Sequence, residues 1–229
     1  MSSVLTMKAL RGALRPADLG GSPEPLGYKV EFSDGSGPSR VVAYPQRELP
    51  PGGIPAYLKA RGSGARSFVL WADEHRRERV ATLVTLSAAR GVATFQVLGP
   101  RGELIGTFVR EKALRGRGLR TRWTVTPVGG PEAVGFKGRI FWWCVWWPLW
   151  PFQALIVLAS LFAGGGDVAR GPRRIIWRAG GRARLEFRSR GDRLFLHAPE
   201  TDWRLGAALV VLLDAFDSWV GQPWDANKK

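Results

Sequence analysis

The chain has 229 residues, enough to bury one sizeable core. Hydrophobic residues make up 45% and charged residues 23%, which excludes wholesale disorder; a single cysteine, Cys144, excludes a disulfide framework and a Cys-cluster zinc site, and two histidines, His75 and His197, make a multi-histidine metal site implausible. Lys and Arg outnumber Asp and Glu by 34 to 19, a net +15, so the expected partner is anionic, either a lipid headgroup layer or nucleic acid.

Residues 1–10 are too weakly apolar for the core of a signal peptide, and no small-residue cleavage site follows them, so the protein is expected to start in the cytosol. Residues 1–25 read as an irregular N-terminal segment, with a short helix over 5–14 and little contribution to the core. Strand-like runs then follow over 28–32, 40–44, 67–72, 79–87, 92–99, 103–111, 120–127 and 133–138, and after a gap over 174–178, 183–189 and 193–198. Most alternate apolar and polar residues, the pattern of a sheet with one buried face. Turn sequences such as SDGSGP (33–38), GPRGE (99–103) and SRGD (189–192) separate them, which predicts a β-barrel or sandwich over 26–229. The Pro/Gly stretch 48–55 reads as a loop.

Two segments break the alternation. The first, 140–163, holds 24 residues without a charge. As a straight helix it would extend about 36 Å, enough to span a bilayer. Pro148 and Pro151 interrupt that ladder, and Trp142, Trp143, Trp146, Trp147 and Trp150 belong at headgroup level, whereas Leu155, Ile156, Leu158 and Phe162 suit hydrocarbon. A membrane-embedded helical hairpin therefore fits better than one transmembrane helix or a buried soluble hairpin. Both flanks are basic, Lys137 and Arg139 before it and Arg170, Arg173, Arg174 and Arg178 after it, which places both on the cytosolic side. The strands on either side would also have to share one sheet.

The second segment, 203–220, reads WRLGAALVVLLDAFDSWV. Leu205, Ala208, Leu209, Leu212, Leu213 and Phe216 share one helical face, but Ala207, Val210 and Val211 leave no polar face opposite. A helix apolar all round is buried on every side or lies in lipid. Some 18 residues carrying Asp214 make a poor membrane span, so the expected surroundings are the inside of a β-barrel.

The sequence PETDWRLGAALVVLLDAF (199–216) resembles the closing helix of the LURP-one-related and phospholipid-scramblase families, which share the tubby C-terminal-like fold. The resemblance rests on Asp202, Trp203, the run 207–213 and Asp214. Upstream, FQVLGPRGELIGTFVRE (95–111) is similar to the strand–turn–strand of those families, and TRWTVTPVGG (121–130) to the strand after it. The similarity extends over roughly 67–221, apart from the apolar segment. It implies a closed antiparallel barrel around a central C-terminal helix, and a role in binding anionic lipid or tethering to a membrane. The chain departs from the scramblases in carrying its apolar segment inside the barrel region. It also lacks the alternating acidic ligands of a calcium loop and any cysteine-rich stretch.

The residues Asp73, Glu74 and His75 are adjacent in sequence and so diverge in space, which suits a solvated turn better than a catalytic site. No nucleophile elbow, phosphate-binding loop or metalloprotease motif is present. The expected protein is non-enzymatic, without metal or cofactor, bound to the cytoplasmic face of the cell membrane. Candidate headgroup ligands are one cluster at Arg110, Lys112, Arg115, Arg117, Arg120 and Arg122 and another at Arg170, Arg173, Arg174 and Arg178. A solvated positive face in an arginine-rich composition is the plainer reading of both. The alternatives are scramblase-like lipid transfer, for which 140–163 supplies no hydrophilic path, and nucleic-acid binding, for which no reader motif is present and specific recognition is not expected.

Overall fold

The computed structural model describes residues 2–14, 26–113, 118–137, 174–217 and 223–226, with side chains up to residue 10 in the first strand and up to 216 in the last helix. The apolar segment 140–163, with Trp142, Trp143, Trp146, Trp147, Trp150, Leu155, Ile156, Leu158 and Phe162, lies outside the described residues. So do Arg115, Arg117, Arg170 and Arg173.

The described strands are β1 (Ser3–Leu14), β2 (Leu26–Ser33), β3 (Arg40–Arg47), β4 (Phe68–Trp71), β5 (Arg79–Ala89) and β6 (Val92–Leu98), followed by β7 (Leu104–Glu111), β8 (Arg122–Pro127), β9 (Ala133–Phe136), β10 (Arg174–Ala179), β11 (Arg182–Arg188) and β12 (Arg193–Leu196). Each pairs antiparallel with its sequence neighbours, and β1 closes the ring by pairing with β12, Leu5 opposite Leu194. The result is a closed 12-stranded barrel. Among the described residues two α-helices accompany it, α1 (Gly53–Ser63) and α2 (Trp203–Asp217).

Alternation along the strands decides which residues point in. Leu5 and Met7 of β1, Phe68 and Leu70 of β4, Phe95 and Val97 of β6, Trp123 and Val125 of β8, Ile175 and Trp177 of β10, and Leu194 and Leu196 of β12 are all buried. They surround α2, in which every residue from Leu205 to Ala215 is buried, Asp214 included. The helix contacts β1, β5, β7 and β12, on different sides of the ring. Each fully buried Leu or Val contributes about 1.5–3 kcal/mol, so this rod holds the barrel together as much as the barrel sheathes it. Gly206 is what lets the rod approach β1 and β12: a Cβ there would lie 2.6 Å from Leu5 Cδ1 and 3.0 Å from Leu196 Cδ2. Gly135 of β9 makes similar room, because a Cβ would meet the Trp177 ring at 3.0 Å.

Two readings of the sequence are corrected. Residues 1–25 are not simply irregular: 3–14 form β1, whose alternation puts Leu5 and Met7 in the core while Thr6 and Lys8 pair across to Glu31 and Lys29. A helix there would leave β2 and β12 with open edges, an exposure that barrel closure removes. The loop expected over 48–55 gives way to α1 at Gly53. Pro55 is tolerated because it lies in the first turn, where no intrahelical N–H is needed. Gly64, at φ +103°, ends the helix by donating its N–H to Arg61 O.

Among the described residues no helix is long and apolar enough to cross a membrane. On β1, β2, β10 and β11 the outer face of the barrel is charged. Lys8, Lys29, Glu31, Arg174, Arg178, Arg184, Glu186 and Arg188 alternate with core residues on its strands, whereas a membrane barrel needs an apolar band there.

Candidate functional site: the two ends of the barrel

Because every pairing is antiparallel, the connections fall into two sets, one at each end. At the end where α2 begins, Asp202 caps the helix by accepting the Arg204 N–H at 2.8 Å. The Arg204 guanidinium folds back onto Asp202 and reaches Glu103 in the β6–β7 turn at 3.3 Å. Asp34, Glu74, Glu78, Glu103 and Glu200 are all exposed in the turns of this end. They sit among Arg40, Arg77, Arg101, Arg182 and Arg184, with Arg184 ion-paired to Glu200. Asp73 accepts the N–H groups of His75, Arg77 and Glu78, and that holds its own pKa below the usual range despite burial acting the other way. The Asp73–Glu74–His75 sequence is thus a turn-forming device.

The end where α2 finishes has a different balance. Lys59, Arg90, Lys112, Arg174, Arg188 and Arg190 are exposed there. The acidic side chains described at this end, Glu48, Glu111, Glu186, Asp192, Asp214 and Asp225, are half-buried or buried, and Glu186 is ion-paired with Arg174 and Arg188. Exposed apolar groups share the rim: Leu119 is 83% exposed, and Phe136 is partly covered by the Arg120 guanidinium 4.8 Å above its ring. Backbone bonds from Lys112 N to Gly91 O (2.7 Å) and from Lys137 N to Thr121 O (2.9 Å) tie this rim together. Residues 137 and 174 both belong to it, since Trp177 pairs with Gly135 and the two strands run antiparallel. The 138–173 connection therefore leaves and re-enters at one end of the barrel.

Of the two basic clusters read from sequence, the structure describes Arg110, Lys112, Arg120 and Arg122 of the first and Arg174 and Arg178 of the second. Arg110 is half-buried. Its guanidinium lies 4.1 Å over Phe216 and 5.8 Å over Trp123, where it lids the end of α2. Arg122 is spanned by Glu111 at 4.0 Å and Glu132 at 3.8 Å. Arg174 and Arg188 flank the buried Glu186. Burial raises the Glu186 pKa, but the hydrogen bonds from these two arginines outweigh it and hold the carboxyl down at about 2. Arg178 is four residues further along β10, about 13 Å away at strand rise, and donates to Gly181 O at the opposite end. Lys112 and Arg174 are exposed at the α2-terminal rim, Arg174 in ion-pair contact with Glu186, and Lys59 of α1, to which sequence reading assigned no role, is exposed at the same end.

Beneath that rim is a cluster with no sequence signature at all. The turn Trp224–Ala226 tucks under the barrel, with Trp224 donating its indole N–H to Val211 O at 3.1 Å and packing 4.9 Å from the Phe68 ring. Asp225 is fully buried beside it. Its Oδ2 accepts from Tyr57 Oη (3.1 Å) and Arg61 Nε (3.0 Å) and lies 2.8 Å from Arg66 Nε. Its main-chain oxygen accepts from Arg47 Nη1 at 3.2 Å. Arg61 and Arg66 also reach Ala215 O, at 3.4 and 3.5 Å, so both cations cap the negative end of α2. Burial pushes the Arg66 pKa down to about 10 against the pull of Asp225, and burial likewise raises that of Tyr57, followed by the charge of Asp225.

Among the described residues no group of three or more His, Cys, Asp or Glu side chains could hold a metal ion. Comparison with known protein families, with curated proteins and with solved structures finds no match to this chain.

Proposed function

We propose that this protein is a non-enzymatic barrel of tubby C-terminal-like architecture that associates with the cytosolic face of a membrane and binds anionic lipid, as a tether or scaffold. The observation that carries the reading is the difference between the two barrel ends. Both ends expose apolar groups, Leu119 at the α2-terminal rim and Val128 and Leu104 at the other, but described carboxylates are exposed only at the end where α2 begins, where they balance the arginines, whereas the α2-terminal rim exposes cations alone among its described charges. Each Lys or Arg held near an anionic leaflet contributes about 1 kcal/mol. The uncharged stretch 140–163 lies in the connection between Lys137 and Arg174, and both of these described residues sit at the basic rim. A hairpin embedded in the near leaflet satisfies this attachment, whereas one crossing would carry β9 and β10 to opposite sides. The barrel would then stand end-on, with Lys112, Arg174 and Leu119 toward the headgroups. Scramblase-like transfer is less well supported, because α2 fills the barrel and leaves no lumen for a headgroup.

Co-sedimentation with phosphatidylcholine vesicles containing phosphatidylserine tests the orientation. Lys112→Glu combined with Arg174→Glu should weaken binding about tenfold or more at low salt, and the loss should shrink as salt rises. Arg178→Glu with Arg182→Glu, at the opposite end, should leave binding within about twofold. Equal losses from both pairs would refute end-on docking. Deleting 140–163 should release the protein from membranes, and a deletion variant that stays in the pellet after alkaline washing would refute the hairpin.

A further inference from the structure

We propose that Arg47, Arg61, Arg66 and Tyr57 form a binding site for a phosphate-class oxyanion, which the chain's own Asp225 occupies as an internal ligand.

The donor geometry favours a group with more oxygens than a carboxylate offers. Two donors, from Tyr57 and Arg61, bond to Oδ2 of Asp225, and the Arg66 guanidinium lies against the same oxygen at 2.8 Å. Oδ1 is buried with no hydrogen-bond partner among the described residues. Arg66 Nε approaches Oδ2 closely yet without hydrogen-bond alignment. Arg47 donates to the main-chain oxygen of the same residue. A tetrahedral phosphoryl group presents three oxygens in different directions, which matches forked guanidinium donors better than one crowded atom does. Arg47 and Arg66 are 3% and 5% exposed, so both are cations placed where water cannot serve them well. If the turn bearing Asp225 swings away, its charge must be replaced, and a dianion from solution or from a headgroup is the species suited to do so.

Exchange requires the turn to leave together with Trp224, which is bonded to Val211 O and packed on Phe68. The occupying segment is a single short turn, Trp224–Ala226. A cleft of about 380 Å³ adjoins the cluster, lined by Glu48, Tyr57, Arg66, Ser67 and Thr85 among others. The Glu48 carboxylate in that lining accepts from Ser67 Oγ at 2.6 Å. This inference goes beyond the membrane reading and does not depend on it: the former concerns a difference between Asp225 variants, the latter the vesicle binding of the unaltered chain.

The test uses the full chain and two probes, inorganic phosphate and phosphatidylcholine vesicles containing phosphatidic acid. Asp225→Ala should bind inorganic phosphate, or the phosphatidic acid vesicles, at least about tenfold tighter than the unaltered chain at matched ionic strength. Phosphate should also raise its melting temperature where an equal ionic strength of chloride does not. A response to phosphate alone assigns a soluble ligand, and a response to vesicles alone assigns a lipid phosphomonoester. Asp225→Ala with Arg61→Ala should lose the gain. If Asp225→Ala does not fold in chloride, recovery on refolding in phosphate supports the site, and failure in both salts overturns it. An unchanged phosphate and vesicle response in Asp225→Ala, or a gain that persists in the double variant, overturns it as well.

Discussion

Leu209→Ala and Val211→Ala together probe whether α2 is sheathed by protein on all sides. The two residues are about 200° apart around the helix, and both are fully buried. Leu209→Ala leaves a cavity in a close-packed core and should cost about 3 kcal/mol. Val211→Ala removes two carbons, worth about 0.8 kcal/mol each in transfer, and with the cavity term should cost about 2 kcal/mol. For a chain of this size the shifts in Tm should be roughly 6–12 °C and 4–8 °C. The assay is urea unfolding in detergent-free buffer followed by tryptophan fluorescence, with the slope against denaturant expected to stay constant. The contrast lies in the second face. A helix with one face on a sheet and the other in lipid or water would lose little at Val211, because mobile neighbours refill the space. A cost below about 0.5 kcal/mol at Val211, with the full cost at Leu209, would refute the barrel-enclosed rod.

Gly206→Val should be more damaging than its size suggests, since the added atoms have to displace Leu5 and Leu196; circular dichroism melting should show a loss of at least about 3 kcal/mol or a failure to fold. Acid unfolding should report two carboxyls of depressed pKa. Hydrogen bonds from Lys29 and then Lys8 hold Glu31 at about 2, and Glu186 lies at about 2 for the reasons given above. Their stabilisation is complete above the ordinary glutamate value near 4.5 and lost as pH falls through about 2, so Glu31→Gln should flatten the acid limb of stability against pH. Asp192 behaves oppositely. Burial raises its pKa to about 6, so it favours the fold below the ordinary aspartate value and loses that contribution as pH rises through about 6. Asp192→Asn, which keeps a residue tolerant of the observed φ of +45°, should raise Tm at pH 7–8 and change nothing at pH 3.

Local periodicity was enough for much of the fold. Eleven of the strands follow from alternation bounded by turn sequences, because a two-residue repeat with one apolar face has few ways to bury itself. The all-round apolarity from Leu205 to Ala215 similarly demanded an enclosing wall. Tertiary structure decided what depended on partners distant in sequence. The short apolar alternation in 3–9 reads by itself as part of an irregular segment with a short helix, and becomes β1 because β12 and β2 offer it two open edges. Gly53–Ser63 folds as α1 despite its Pro and Gly residues, because Tyr57 and Arg61 find Asp225 across more than 160 residues. Charge behaved in the same way. The sign of the surplus is a property of composition, but strand direction sorts Arg174 and Arg178 to opposite ends of the barrel, and Phe216 draws Arg110 inward. Hydrophobic pattern is read from neighbours along the chain, whereas a cation's role is set by the anion or ring beside it, and that neighbour exists only once the chain has closed on itself.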